Sequence, residues 1–194
     1  AKVALQRMLD LPGKSARVWG RSRWMTNADA PPHASVPLDA VVDLTDRLRP
    51  DGTVTWDAPP GEWRLVRFGH RSTLVTNNPA GAGQGLEADK FNPEAARVQF
   101  DSWFGEALRQ AGPAKAGTTL KVLNIDSWEC GSQNWSTVFR DEFRKRRGYD
   151  LLKYMPAMAG VPVQDGETTE RFLLDVRTTI AELVQDNFFR PSAA

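Results

Sequence analysis

The sequence predicts an α/β protein: the opening βα units of a truncated barrel, or of a small open sheet, behind a short β-rich segment. Three observations carry this. From Glu62 onward strand-like and helix-like segments alternate, the order that produces parallel strands under a helical layer. Two long segments each carry one apolar helical face. The 194 residues hold too few strands to close a barrel, which takes about 250 residues. Pro59-Pro60-Gly61 divides the chain into a β-rich segment or linker layer, 1–61, and a partial (β/α) barrel, 62–194.

Each element follows from local pattern. Ala16–Trp19, Ala40–Leu44 and Thr53–Trp56 are short apolar runs that read as strands, with Asp51-Gly52 as a turn between the last two. Trp63–Gly69 alternates apolar and basic residues, which suits a strand. A Gly/Asn loop, Thr76–Gly85, leads to a helix from Pro93 to Ala111. Asn92 is placed to cap it, and Pro93 loses nothing at a first helical position. Ala96, Phe100, Trp103, Phe104, Ala107, Leu108 and Ala111 share its apolar face, with Phe100 and Phe104 expected in the core. Leu120–Asp126 is the next strand, expected to lie parallel to Trp63–Phe68 under that helix. A second helix runs from Ser136 to Arg147 and ends at Gly148. A short one covers Leu151–Met158. A long one starts near Thr169, with Phe172, Leu173, Val176, Ile180, Leu183, Val184 and Asn187 on one face.

Composition narrows the function. Hydrophobic residues make up 41% and charged residues 25%, the balance of a globular domain rather than a disordered or fibrous chain. A net charge of +1 supplies no field toward nucleic acid or an anionic membrane. No run approaches the ~18 apolar residues of a membrane span. The single cysteine, Cys130, excludes an internal disulfide and a multi-cysteine metal site. The sequence starts Ala1-Lys2-Val3 without Met and stops soon after a strong helix, so it reads as an internal piece of a longer polypeptide.

The chemistry concentrates in Asn124-Ile125-Asp126-Ser127-Trp128-Glu129-Cys130-Gly131-Ser132-Gln133-Asn134-Trp135. An apolar strand ends in acids, and aromatics and amides crowd the loop behind it. In α/β barrels the site lies at the C-terminal ends of strands. Aromatic faces with amides and carboxylates are what a sugar site needs, since rings cover C–H faces and polar groups bind hydroxyls. An indole beside a carboxyl disfavours its charged form and raises its pKa, which fits Glu129 for general acid work. Asp126, Trp128, Asn134 and Trp135 would line the substrate. The plainer alternative makes Asp126 a cap and Glu129 a solvated loop residue. Glu87 and Asp89, in Gly85–Phe91, are second candidates for substrate contact, or simply acids that favour a helix start. His70, at the end of the first barrel strand, is a third candidate or a satisfied structural histidine. Arg144 to Arg147 would bind an anion or complement a helix C-terminus.

Several motifs together resemble the α-L-rhamnosidases of glycoside hydrolase family 106. They are Asp51–Trp63, Gly85–Lys90, Asp126-Ser127-Trp128-Glu129 with Asn134-Trp135, Phe143–Asp150, Tyr154-Met155-Pro156 and Thr169–Asp175, collinear from about Val36 to Phe189. The resemblance implies a multidomain, exported enzyme, periplasmic or extracellular, with a TIM-like catalytic domain. It implies inverting hydrolysis of terminal α-L-rhamnose from a glycan or glycoside, assisted by calcium. Glu129 matches the acid. The base is expected from a later strand outside this chain, so the partner this segment needs is the rest of its own polypeptide. Rival readings are a glycosidase of another sugar specificity, a non-catalytic carbohydrate-binding or scaffold module, and an anion-binding module using Arg144 to Arg147.

Overall fold

The computed structural model describes residues 32–72, 74–76, 83–125 and 133–193. The helices follow the sequence closely. Helix α1 (Pro93–Phe100) begins where Asn92 Oδ1 accepts the Glu94 N–H at 3.0 Å, with Pro93 at its first position. A π-helical turn, Asp101–Gly105, carries it into α2 (Glu106–Ala111), and Gly112 ends it. Helix α3 (Phe139–Arg147) stops at Gly148, whose φ of 81° is the left-handed cap that glycine adopts without strain. Helix α4 (Met155–Met158) follows a 3₁₀ turn, Leu152–Tyr154. Helix α5 (Gly166–Val184) runs through a second π turn, Gln185–Phe189, into α6 (Arg190–Ala193).

The core lies between α3, α4 and α5. Phe143 is fully buried, packs edge-on against Tyr149 and Phe172, and is flanked by buried Leu151, Leu173 and Val176. Tyr154 stacks on Phe172 at 5.4 Å between centroids. The segment before Pro37 is tied to the same core. Val36 donates to Pro162 O at 2.8 Å and accepts from Gln164 N–H at 2.7 Å, a parallel bridge between Val36 and Val163.

The strands expected from the sequence differ most. Among the described residues, β pairing is limited to four isolated bridges, and neither a β-rich segment nor a barrel sheet forms. Trp63–Phe68 and Leu120–Ile125 are irregular and do not pair with each other. Leu65 is 70% exposed and Val122 81%. The reason is non-local. Alternation favours an extended backbone, but each residue's N–H and C=O need a partner strand, which no local signal supplies. The Asp51-Gly52 turn does form, but it brings Leu48 to Val54 rather than joining two strands, with Asp51 Oδ1 accepting from Thr53 N–H at 2.9 Å. Ala16–Trp19 lies outside the described residues.

The first helix also meets less of the core than its periodicity promises. Its start buries Ala96 and packs on the C-terminal π turn and α6. Phe100 and Phe104 are only half-buried, their rings tilted against one another with centroids 5.5 Å apart, and Trp103 is 68% exposed. A π turn carries more residues per turn than an α-helix, so the apolar face slips at Asp101–Gly105. No described sheet covers what remains.

Candidate active site

The turn before α1 and the segment before α3 are locked together. Asp89 lies in the turn, and its carboxylate accepts three hydrogen bonds. Oδ1 takes the Phe91 N–H at 3.0 Å and the Gln133 side-chain amide; Oδ2 takes the Ser136 hydroxyl at 2.6 Å. Gln133 answers with its other end, Oε1 accepting from the Lys90 N–H at 3.0 Å, while its Nε2 also donates to Trp135 O at 3.2 Å. Half-buried Asp89 is thereby compensated for lost hydration.

Lys90 has 4% of its surface exposed. A buried ammonium needs partners, and among the described residues it meets the Glu87 carboxylate and the face of Phe188, 5.2 Å from its centroid. Asn187 ties the same turn to the C-terminal π turn by donating to Phe91 O at 2.6 Å. Phe91 is fully buried and packs on Phe139, which also receives the Trp135 ring at 5.2 Å. An open groove of about 560 Å³ lies beside the turn, lined in part by Gly85, Leu86, Asn92, Glu94 and Gln99, within the range of small-ligand clefts.

Of the residues the sequence singles out, Glu87, Asp89 and Trp135 come together here. Asn134 is exposed next to Trp135. His70 is exposed in the irregular 62–72 segment; that chain returns to the site when Val75 O accepts from the Glu87 N–H at 3.3 Å. Asp126, Trp128 and Glu129 lie outside the described residues. Gln133, Ser136, Lys90 and Asn187 are site-building residues that pattern reading passes over. Gln133 sits inside the amide-rich loop, and Asn187 is the polar exception on an otherwise apolar helix face. Both are signals of a kind, but neither says which partner is met.

Half of the basic run is used structurally. Arg146 pairs with Glu142 at 3.1 Å, Glu182 at 3.4 Å and Asp186 at 2.8 Å, and Arg147 bonds Glu182 and the Thr179 hydroxyl. Two of the four cations thus join α3 to α5 instead of facing an anionic ligand. The Phe143–Asp150 motif is likewise packing. Tyr149 donates to Asp175 at 2.9 Å, and burial followed by that bond pushes its phenol well above its ordinary range. Asp150 is held below the usual carboxylate range by its bond to Arg140.

Among the described residues, no three His, Cys, Asp or Glu side chains gather as a metal cluster. Both Asp89 oxygens are occupied by protein donors. Among the described residues, too, no helix is long and apolar enough to cross a membrane.

The chain is similar to proteins named as glycosidases. The chain belongs to glycoside hydrolase family 106, described as alpha-L-rhamnosidase, whose pattern matches residues 14–193. Its backbone is similar to that of a rhamnosidase from Novosphingobium sp. PP1Y, with a TM-score of 0.67 and 34% identity, over 82% of this chain and 16% of that one. A protein of Formosa agariphila named "Putative beta-glucuronidase" is 39% identical over 160 residues, 82% of this chain and 14% of that protein. The chain thus spans about one sixth or less of either relative's length.

Proposed function

We propose that this chain is the segment of an α-L-rhamnosidase that carries the general acid, Glu129, and one wall of the sugar site. The observation that carries the reading is the family match across residues 14–193, a span that includes Asp126, Glu129 and the Glu87–Trp135 cluster. In this reading the segment supplies βα units to a TIM-like barrel completed by other parts of an exported polypeptide. Glu129 donates its proton to the glycosidic oxygen as that C–O bond breaks. A second carboxylate, outside this chain, takes a proton from water, and the water oxygen attacks the anomeric carbon from the opposite face. Configuration inverts, and the two carboxyl groups stand about 6.5–9.5 Å apart. Calcium remains part of the reading, with ligands beyond the described residues, and no step above depends on it.

The name of the Formosa relative favours one second reading, a glycosidase acting on a uronic acid. A glucuronate carboxylate calls for a cation at the sugar. Lys90, the buried cation of the cluster, is already paired with Glu87, which supports a neutral deoxy sugar instead.

The test is Glu129→Gln in the full-length protein, assayed on aryl α-L-rhamnosides with good and poor leaving groups and on aryl β-D-glucuronides. General acid catalysis contributes about 10²–10⁴-fold. The substitution is expected to cut turnover at least ~10²-fold on poor leaving groups and much less on activated ones. Equal losses on both would make Glu129 a base or a binding residue. Cleavage of the glucuronide alone would establish the second reading. Sugar binding without turnover in the unsubstituted protein would point to a carbohydrate-binding module.

A further inference from the structure

We infer that Gln133 is a positioning residue for the sugar site: its side-chain amide clasps the Glu87–Phe91 turn to the Gln133–Ser136 segment and so fixes Glu87 relative to Trp135. The inference rests on the rhamnosidase reading above.

Both ends of the amide are in use, and they grip the turn at two different points. Oε1 accepts the Lys90 N–H at 3.0 Å, and Nε2 donates to Asp89 Oδ1. These bonds connect residues 43 and 44 positions apart. The same Nε2 donates to Trp135 O at 3.2 Å, so the clasp also sets the backbone that presents the indole. The far side of the turn is held independently, through Asn187 to Phe91 O and the Lys90 ammonium over Phe188. The turn is therefore pinned from two sides. Releasing Gln133 leaves the turn held by Ser136 on Asp89 Oδ2 and by Asn187 on Phe91 O, and frees the Lys90 N–H between those two anchors while α1 keeps its cap. Gln133 also lies four positions after Glu129 in the chain. A carboxylate and a ring face that grip one sugar tolerate little displacement, since misplacement by about 1 Å can cost ~10²-fold in rate.

Two variants of the full-length protein test this. Gln133→Met keeps the volume and loses every hydrogen bond. Gln133→Glu keeps the shape and the acceptor for Lys90 N–H but sets a second carboxylate against Asp89. Each is first shown to melt cooperatively. The expected result for Gln133→Met is a fall in kcat of about 10–100-fold on aryl α-L-rhamnosides, with KM nearly unchanged. Hydrogen exchange at the Lys90 amide should also accelerate. Gln133→Glu is expected to be equally poor near neutral pH. It should recover toward wild type on acidification, as one proton shared with Asp89 restores an O–H···O bond; the Met variant should not recover at any pH.

Unchanged kcat with faster Lys90 exchange would show a clasp that positions nothing, and would overturn the inference. So would a rise in KM alone, which marks a direct sugar contact, or unchanged Lys90 exchange, which denies the clasp. Absence of glycosidase activity in the wild-type protein would instead sink the rhamnosidase reading and the catalytic role with it, while the Lys90 exchange rate would still report the bond.

Discussion

Thr169 shows how much one hydroxyl decides in this structure. It is fully buried; its Oγ1 donates to Val163 O at 3.0 Å and accepts the Val163 N–H at 2.9 Å. Val163 is itself buried and bridges to Val36, and its carbonyl also accepts the Asp165 N–H at 2.8 Å, so the Thr169 hydroxyl is the partner that its N–H depends on. Thr169→Val preserves shape but strands that buried donor, which costs about 1–3 kcal/mol. Urea unfolding monitored by circular dichroism is expected to show that loss with native helix content retained. A loss below about 0.5 kcal/mol would mean that other groups, or water, serve Val163 equally well. Residue-level chemistry is only partly legible in the sequence. Asn92-Pro93 announces a helix start, and one forms there. Thr169 reads as a helix start too, yet α5 begins at Gly166, because Asp165 Oδ1 accepts the Thr168 N–H at 2.7 Å. Threonine is a good cap, but the better cap lies four residues earlier, and Thr169 is left to close a corner.

At the scale of elements, helices were readable and strands were not, for one physical cause. A helix closes its hydrogen bonds within four residues, so its period and caps are written locally. A strand's bonds are made elsewhere, and neither Trp63–Phe68 nor Leu120–Ile125 finds its partner among the described residues. The α3–α5 contact lies between these cases. Its Arg146 and Arg147 were visible as a basic run, but the acids that meet them come from 35 to 40 positions away. The pairing has a pH signature. The bond to Arg146 holds Asp186 below its ordinary pKa, and the bond to Arg147 does the same for Glu182. Folded-state values lowered this way add stability that is present above the unfolded values, about 3.9 and 4.3, and lost as pH falls through the folded ones. Tm is expected to fall as pH drops below about 4. Arg146→Met should flatten that acid limb and also weaken the salt dependence, because the pairs are partly exposed and screened. An unchanged acid slope in the variant would show that these carboxylates contribute nothing to the pH response.

Burial is uneven over the described residues, and the unevenness is testable. A closed helical core surrounds Phe143, while Leu65, Val122 and Trp103 are exposed. Two substitutions must therefore behave differently. Phe143→Ala opens a cavity among Tyr149, Phe172 and Phe139, for which about 3–5 kcal/mol is the usual cost. Leu65→Ser removes an apolar side chain that is already in water, and surface changes of that kind stay within about 0.5 kcal/mol. Denaturant unfolding of both variants should reproduce this split. The barrel reading adds a second condition. In a full-length protein, where a completed sheet would bury Trp63–Phe68, the same Leu65→Ser change should become costly, approaching the roughly 1.5–3 kcal/mol gained by burying a leucine. Neutrality of Leu65→Ser in both settings would remove the segment from any sheet and end the case for Trp63–Phe68 as a barrel strand. A cost in both would mean that the 194-residue chain already covers Leu65, against the exposure described above.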